Sequence, residues 1–337
     1  MENGDNSKPI RRVGIIGRPP VQQWVKSFSF LVGTRPSQGG GGAAGLAVLR
    51  AFLGRPEFQG PRASWTLQAF EARGDIGGIW MPEKNSHEMI RFPSSDSDSG
   101  YIEVPPTPLY NGLTTNIPHP LMAYHDFPFP PSTLYPRASV VLEYLRSYAS
   151  HFDLRRHIQF NSRVVSLERD EADDRWELRL TDEPSGPLYF DAIVLCQGRF
   201  KEPRFPNVPG LRDWARSKRK SMHSIFYREP SGFRNQHVLV VGAGPSGQDI
   251  STEISQTASL VFQSSTGTKR SDDKVVKQRA RLVELRAGDG SAHYKDGTSD
   301  IDIDAVVFAT GRDSPHRLAT ATPRTRWRPH RPRRRLP

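Results

Sequence analysis

Short apolar runs alternate along this chain with segments of helical periodicity, a pattern typical of α/β proteins built on parallel sheets. The first half contains apolar runs over Arg12–Gly17 and Ser64–Phe70, and both predict buried strands. Apolar residues have helical spacing over Ala43–Leu53, and they recur at i, i+3, i+4 and i+7 over Ala138–Phe152. We therefore expect a strand–helix–strand unit near the N-terminus, followed by a second helix.

Residues 83–135, between these elements, are rich in Pro, Ser, Asp and aromatic residues and have little regular period. We expect this segment to be a long ordered excursion over a site. After the second helix, four short segments predict antiparallel strands: Ile158–Phe160, Val164–Arg169, Trp176–Leu180 and Leu188–Phe190. They lead to a buried strand over Asp191–Gly198.

The strand–helix–strand pattern starts again after a proline-rich link over Glu202–Pro209. A strand, a helix and a second strand are predicted at His237–Gly242, Gly247–Thr257 and Ser259–Phe262. Asp302–Gly311 predicts another buried strand and a sharp turn, which echo residues 191–198. The sequence thus predicts an α/β fold with two Rossmann-like, three-layer dinucleotide-binding domains.

Each half also contains a glycine-rich turn between its first strand and its first helix. In the second half Gly242, Gly244 and Gly247 have the spacing of a dinucleotide-binding turn, with Ser246 among them. One glycine forms the tight turn, one lets the backbone approach a pyrophosphate, and one lets the helix pack on the strand. The pyrophosphate then lies at the helix N-terminus.

The turn of the first half is interrupted. Gly17 ends the strand, and Gly40, Gly42 and Gly45 restore the spacing only after a segment with no steady period. A phosphate-binding turn has to follow its strand directly, because the strand end and the helix N-terminus together place the pyrophosphate. Removing residues 18–40 would leave an uninterrupted strand, turn and helix, so we interpret 18–40 as an insertion.

The residues after each second strand indicate which nucleotide each half binds. Glu71 follows the strand of the first half, where a carboxylate can accept hydrogen bonds from ribose hydroxyls. Gly78 and Trp80 come next, in a segment that a cofactor would pass closely. The second half has Ser265 and then Arg270 without an acid, which favours a 2′-phosphate and hence NADP over NAD. The alternative for Arg270 is a solvated charged loop.

A net charge of +11 over 337 residues would ordinarily indicate a nucleic-acid or membrane partner. The excess is confined to two segments, because residues 314–337 contain eight arginines and no acid, and residues 18–39 contain three basic residues and no acid. The remainder carries no net charge. We therefore expect no nucleic-acid partner, and we expect 314–337 to be a disordered Arg/Pro tail.

Cys196 is the single cysteine, which excludes an internal disulfide, a cysteine-based metal site and a redox cysteine pair. No apolar run reaches the length of a membrane span, and the N-terminal residues lack the apolar region of a secretory signal. These features predict a soluble, cytoplasmic protein.

Longer motifs make the chain resemble the flavin-containing monooxygenases, especially fungal members. They are FEARGDIGGIW (70–80), LYNGLTTNIPHPLMAYHDFPFP (109–130), MHSIFYREP (222–230), VLVVGAGPSGQDI (238–250) and FATG (308–311). The resemblance runs from about residue 11 to 312, apart from 18–40, and the block at 109–130 is its most specific part. It implies FAD on the first unit and NADPH on the second. It also implies that O2, through a flavin C4a-hydroperoxide, oxygenates a small molecule at a soft nitrogen or sulfur nucleophile.

By this resemblance, the residues at FAD would be Gly17, Gly40, Gly42, Gly45, Glu71, Gly78 and Trp80, and those at NADPH would be Gly242, Gly244, Ser246, Gly247, Ser265 and Arg270. Asn116 matches the family's asparagine near the reactive face of the flavin. A neutral amide there can donate a hydrogen bond without delivering the proton that would release H2O2. His223 lies in another family stretch, but the Phe-x-Gly expected upstream is replaced by Ser217 and Arg219, so we expect a structural role for it.

The domains implied are a FAD domain over 1–205 plus 302–313 and an NADP domain over 206–301 inserted in it. Family chains continue well past their FATG motif to complete the FAD domain, so we also expect this chain to be truncated. Three alternatives stay open: an inactive remnant of such an enzyme, a Baeyer–Villiger-type flavin monooxygenase, and a quinone-reducing flavoprotein.

Overall fold

A computed structural model of the chain describes residues 11–16, 40–61, 63, 65–83, 107–170, 174–181, 186–196, 198 and 202–313. Several predictions lie outside the described residues: Gly17, segment 18–39 of the proposed insertion, residues 84–106 of the excursion, and the tail at 314–337.

The strands are β1 (Arg11–Ile16), β2 (Trp65–Phe70), β3 (Ile158–Gln159), β4 (Val164–Asp170), β5 (Arg175–Leu180), β6 (Leu188–Phe190), β7 (Ala192–Leu195), β8 (Glu202–Pro203), β9 (Lys220–His223), β10 (His237–Val241), β11 (Leu260–Ser264), β12 (Val276–Arg279), β13 (Leu282–Arg286), β14 (Ser291–Tyr294), β15 (Ser299–Asp300), β16 (Ala305–Phe308) and β17 (Arg312–Asp313). The α-helices are α1 (Ala43–Leu53), α2 (His119–Met122), α3 (Ala138–His151), α4 (Leu211–Arg216) and α5 (Pro245–Ile254). Short 3-10 helices cover Pro56–Phe58, Gly78–Trp80, Arg155–His157 and Pro230–Phe233.

The first unit is a three-layer arrangement around a parallel sheet of order β3-β2-β1-β7. Successive side chains of a strand point to opposite faces, and β2 uses both. Ala69 is buried among residues of α1 and α3, such as Leu46 and Tyr148. Phe70 is buried on the other face, where the antiparallel sheet β4-β5-β6 contributes Leu178 and Phe190.

One predicted strand direction is wrong. Ile158–Gln159 was expected to be antiparallel like the three strands that follow it, but it pairs in parallel with β2, with Ala69 opposite Ile158. The cause is the connection, because α3 lies between β2 and β3, and a helical crossover returns the chain in the same direction. The other three segments form the antiparallel sheet as predicted.

The second unit has a five-stranded parallel sheet of order β12-β11-β10-β16-β9. Its central strand reads Val-Leu-Val-Val because both faces are covered. Val238 and Val240 are buried with Ile250 and Ile254 of α5. Leu239 and Val241 are buried on the opposite face, among residues of α4 and of the antiparallel sheet β13-β14-β15.

The two Rossmann-like units are joined where the chain enters and leaves the second one. Strand β8 lies just before that unit, β17 lies just after it, and the two pair antiparallel with each other. Arg204 reinforces this pair, because its guanidinium donates two hydrogen bonds to the Thr310 carbonyl at 3.1 and 2.8 Å. Within the described residues, no helix combines the length and the apolar character needed to cross a membrane.

Candidate functional site

A cavity of about 930 Å³ opens at the carboxyl edge of the second sheet. Its floor is the turn between β10 and α5, and its walls include the ends of β11 and β16. Crevices at the carboxyl ends of parallel strands are the usual ligand sites of α/β folds. The predicted residues Gly242, Gly244, Ser246 and Ser265 line this cavity.

The glycines of this turn have separate steric tasks. Gly242 has φ +122°, a conformation that favours glycine. A Cβ there would lie 2.3 Å from the Ala309 carbonyl oxygen, closer than a side chain can approach. A Cβ on Gly247 would overlap the Gly242 backbone, which is how α5 approaches its strand. A Cβ on Gly244 would meet nothing within 4 Å. Gly244 therefore faces open space in the cavity, where the backbone can approach a ligand.

The cavity suits an anion. Helix α5 begins at Pro245 with Gly244 as its N-cap and no side-chain cap, so its first N–H groups are available to a ligand. Arg204 and Arg281 line the walls, and among the described residues that line the cavity there is no Asp or Glu. Helix N-terminus and guanidinium groups together favour a phosphorylated ligand.

Asn116 lies in the wall of this same cavity, although it comes from the excursion of the first unit. The loop that carries it is held against the start of α3, where the Thr115 N–H donates to the Pro136 carbonyl at 2.9 Å. The Thr115 hydroxyl also donates to the Ile117 carbonyl at 2.9 Å. The fold thus brings an asparagine of the first unit into the same cavity as the glycine turn of the second.

Arg270 is placed differently from the other predicted residues. It is outside the cavity lining, and its guanidinium pairs with Asp272 at 3.2 Å and with Asp300 at 3.7 Å. Arg281 lines the cavity instead, beside Thr266 and Ser265. No motif in the sequence marks Arg281, because its place in the wall depends on how β12 and β13 fold back beside β11.

The first glycine turn lies at the carboxyl end of β2. The Gly40 N–H donates to the Phe70 carbonyl at 2.9 Å, and a Cβ on Gly40 would come within 2.6 Å of the Ala69 Cβ. Gly42 is the N-cap of α1, and a Cβ on Gly45 would overlap the backbone of Gly40. This turn therefore has the same close helix–turn contact as the turn in the second unit.

Glu71 is fully buried against that turn. One carboxylate oxygen accepts the Gly41 N–H at 3.2 Å and the other accepts the Arg73 N–H at 3.0 Å. A carboxylate oxygen can accept more than one hydrogen bond, so ribose hydroxyls can be accepted alongside these. The buried acid beside a tight glycine turn fits the adenosine end of a dinucleotide.

The loop after Glu71 is fixed by two charged side chains. Arg73 donates from its guanidinium to the carbonyls of Gly78 and Met81, at 2.9 and 3.2 Å, which holds the turn that contains Trp80. Asp75 accepts from Arg146 at 2.9 Å and from Arg155 at 2.6 Å, which ties the same loop to α3 and to the segment after it.

Asp75 gives the fold a pH-dependent contribution. Partial burial alone would raise its pKa, but the Arg155 hydrogen bond, the Ile76 N–H and the charge of Arg146 outweigh this effect and lower it. A depressed folded-state pKa stabilises the fold above the ordinary pKa of Asp, near 4, and the stabilisation disappears as the pH falls through the folded value.

Asp75→Asn should therefore lower the free energy of unfolding by roughly 1 kcal/mol at pH 7, a small effect because the partner arginines are about half exposed. Urea denaturation of the two proteins at pH 7 and near pH 3 measures this, and the difference should shrink at the acidic pH. Glu143→Gln, at an exposed position of α3, is the control and should change neither curve. A difference that persists at low pH would contradict the assignment.

His223 is fully buried at the end of β9. Its Nδ1 accepts the Ile225 N–H at 3.2 Å, so its Nε2 carries the proton and donates to the Gly311 carbonyl at 3.0 Å. It thus joins the turn after β9 to the turn after β16. These contacts fit the structural role expected from the sequence.

The structure places the predicted site residues in two groups, one at each glycine turn. The structure brings Gly40, Gly42, Gly45 and Glu71 together, with Gly78 and Trp80 in the following loop. It brings Asn116 to the four residues of the second-unit cavity and leaves Arg270 outside the lining.

A family model described as flavin-binding monooxygenase-like matches residues 40–277. Among curated proteins, the flavin-containing monooxygenase FMO GS-OX-like 9 of Arabidopsis thaliana is 32% identical over 291 residues, which cover 81% of this chain and 60% of that protein. FMO GS-OX5 of the same plant is 31% identical, with 81% and 59% covered. The chain thus spans about three fifths of the length of these relatives.

Solved structures agree with the sequence matches. The S-allyl-L-cysteine S-oxygenase of Allium sativum superimposes with a TM-score of 0.69 and 26% identity, covering 90% of this chain and 62% of that one. Tmm of a Pelagibacter species has the same fold, with a TM-score of 0.65, 24% identity, and 89% and 61% covered.

Proposed function

Since this chain belongs to the flavin-binding monooxygenase-like family, we propose that it binds FAD on its first unit and NADPH on its second. We further propose that it oxygenates small molecules at a soft sulfur atom with O2. One observation carries the proposal: Asn116 of the first unit lines the same cavity as the glycine turn of the second. Two nucleotides bound at the two turns would need such a shared cleft to exchange electrons.

The FAD side consists of the turn at Gly40–Gly42, the helix packing at Gly45, and Glu71. The turn and the N-terminus of α1 would hold the pyrophosphate, and Glu71 would accept the ribose hydroxyls. Gly78 and Trp80 follow in the loop that Arg73 fixes. Gly17, outside the described residues, stays a prediction, as does the interpretation of 18–40 as an insertion.

The NADPH side consists of the cavity at α5. Gly244, Ser246 and the first N–H groups of α5 would hold the pyrophosphate, while Gly242 and Gly247 allow the tight turn and the close packing of α5 on its strand. The pairing of β8 with β17 at the entry and exit of this unit supports an NADPH unit inserted in the FAD unit, as in the division 1–205 plus 302–313 and 206–301. We propose to move the second boundary beyond 301, because β16 (Ala305–Phe308) is a strand of the second sheet.

The flavin, when bound and reduced, supplies the electrons and the reaction with O2. The chain's own residues would bind the flavin, orient it and shield it from water. Asn116 can donate hydrogen bonds from its amide in the cavity while carrying no acidic proton. The walls formed by Val208, Val241 and Leu282 would limit the access of water to the space around it.

Sulfur is preferred over nitrogen because a solved structure 26% identical to this chain is an S-oxygenase. A nitrogen nucleophile is the second candidate.

Cys196, the single cysteine, is a poor nucleophile for a reaction of its own thiol. Burial raises the pKa of Cys196 to about 11 and keeps it a thiol at neutral pH.

The test is turnover of the purified chain, supplied with FAD, NADPH and a small allyl or methyl thioether under isotopically labelled O2. The expected product is the sulfoxide with one labelled oxygen, detected by mass spectrometry. A tertiary amine oxidised faster than the thioether would favour the nitrogen alternative, and a ketone converted to an ester would indicate Baeyer–Villiger chemistry. NADPH binding without any product would indicate an inactive remnant.

Coenzyme choice gives a second test, and it separates two arginines. We propose that Arg281, which lines the cavity, contacts the 2′-phosphate, and that Arg270 mainly serves its pairs with Asp272 and Asp300. Arg281→Ala should weaken NADP+ about tenfold more than NAD+, because one charge-assisted contact is lost. Arg270→Ala should change both affinities less than threefold, because Arg270 is outside the cavity lining and its ion pairs contribute little. Calorimetric titration with both nucleotides measures this, and the reverse ranking would restore the sequence-based assignment to Arg270.

A further inference from the structure

Two tyrosines that contact each other bind helix α5: Tyr110, in the segment that leads to Asn116, and Tyr227, in the segment after β9. The Tyr110 hydroxyl donates to Asp249 Oδ2 at 2.7 Å, and the Tyr227 hydroxyl donates to Glu253 Oε2 at 2.8 Å. The two rings meet edge to face, with centroids 5.6 Å apart. Asp249 and Glu253 are one turn apart on α5, so both bonds hold the same face of that helix.

These tyrosines are anchored inside the second unit. Tyr110 is 6% exposed and Tyr227 is 1% exposed, and both belong to the apolar cluster that contains Ile250 and Ile254 of α5. Burial and the neighbouring carboxylates raise the pKa of both hydroxyls well above the ordinary value. Both groups therefore keep their protons and remain donors.

The backbone around Tyr110 fits the same helix closely. A Cβ on Gly112 would overlap the Glu253 carboxylate, so glycine lets the chain approach Glu253 there without displacing its side chain. The Asn111 N–H donates to the Arg228 carbonyl at 2.8 Å, and the Arg228 guanidinium donates to the Thr107 carbonyl at 3.0 Å. The segment from 107 to 112 is thus fixed to the second unit at both ends.

The following residues are fixed to the first unit. The Leu113 carbonyl accepts the Ala138 N–H at 3.2 Å, and Thr114 bridges to Arg137 at the start of α3. Asn116 comes two residues later and reaches the cavity at the N-terminal end of α5. One helix therefore presents its N-terminus to the cavity and, further along, holds the loop that carries Asn116.

We propose that Tyr110 and Tyr227 are positioning residues, which lock the Asn116 loop onto α5 so that the amide keeps its place in the cavity. The consequence of this lock for catalysis rests on the proposed function. Binding at the N-terminus of α5 and the position of Asn116 would then be set by one rigid element.

The test is hydrogen exchange, followed by mass spectrometry, of peptides that cover residues 110–117 in the cofactor-free full chain. Tyr110→Phe combined with Tyr227→Phe keeps both rings and removes both hydroxyls. Exchange over 110–117 should become roughly tenfold faster or more, while peptides of β1 and β10 stay unchanged. Tyr189→Phe, which removes an exposed tyrosine–glutamate contact of 3.3 Å on β6, is the matched control and should leave 110–117 as in the wild type.

Conservative replacement distinguishes a hydrogen-bonded clamp from general destabilisation. In Glu253→Gln an oxygen is still available to the Tyr227 hydroxyl, so exchange over 110–117 should stay near the wild-type rate. In Glu253→Ala that oxygen is lost, and exchange over 110–117 should accelerate as it does in Tyr227→Phe. Equal acceleration in both Glu253 variants, or unchanged exchange in the double tyrosine variant, would overturn the proposal. So would an increase spread evenly over both units.

Turnover supplies the catalytic consequence. In the double tyrosine variant the Kd for NADP+ should stay within about threefold, since the glycine turn is intact, while the peroxide formed per NADPH should rise at least threefold. Unchanged peroxide would remove the positioning role even if exchange accelerates. A wild-type chain that binds neither FAD nor NADP+ would instead contradict the proposed function. The exchange result would then still decide whether Tyr110 and Tyr227 hold the Asn116 loop on α5.

Discussion

Gly244→Asp should lower the affinity for NADP+ at least 100-fold, a change of about 2.7 kcal/mol in binding free energy. Gly244 is the N-cap of α5, and its missing Cβ faces open space in the cavity. An aspartate there would put a carboxylate where the pyrophosphate is expected and would engage the helix N–H groups itself. Calorimetric titration with NADP+ measures the loss.

The variant should fold normally, which separates lost binding from lost structure. Gly244 has φ −72° and ψ 178°, an extended conformation that aspartate adopts without strain. Aspartate is a preferred N-cap, so the melting temperature should stay the same or rise. Gly288→Asp is the matched control, since a Cβ there also meets nothing and Gly288 is outside the cavity lining. NADP+ affinity within threefold of the wild type in Gly244→Asp would contradict the site.

Asn116→Ala should leave flavin reduction by NADPH within about twofold and lower the sulfoxide formed per NADPH at least tenfold. Removing a single positioned donor from an active site commonly costs 10²–10³ in rate. Asn116 lines the cavity, at the end of a loop held to both units. Without the amide, water and protons reach the reaction more easily, so the missing product should reappear as H2O2. Stopped-flow absorbance measures reduction, and paired assays measure sulfoxide and peroxide.

Thr114→Ala is the control for the same loop, because Thr114 is exposed and does not line the cavity. It should keep the wild-type ratio of sulfoxide to peroxide. An unchanged ratio in Asn116→Ala would remove Asn116 from the mechanism, and a loss of reduction together with oxygenation would assign it to NADPH binding instead.

Local sequence signals predicted the main elements well. Helix α1 begins and ends at the predicted residues, and β10 carries the continuous apolar run typical of a strand buried on both faces. The steric tasks assigned to Gly242 and Gly247 from their spacing correspond to close backbone contacts in the fold. Such features depend on neighbours in the chain, which is why spacing alone reveals them.

Features that depend on distant contacts were missed or misassigned. The parallel direction of β3 follows from the helix before it rather than from its own two residues. Arg281 enters the cavity wall only because β13 turns back beside the second sheet, and Tyr110 meets Asp249 across 139 positions of sequence. Arg270 has the charge expected at a phosphate, but its guanidinium pairs with Asp272, two residues along the chain, and with Asp300, which the fold brings beside it.

The most direct test of the shared cleft is the absorption spectrum of the purified full chain after incubation with FAD and removal of free flavin. A protein with one nucleotide on each unit should retain the flavin band, and anaerobic NADPH should bleach that band faster than NADH does. A colourless protein, or a bound flavin whose band is unaffected by NADPH, would contradict the account.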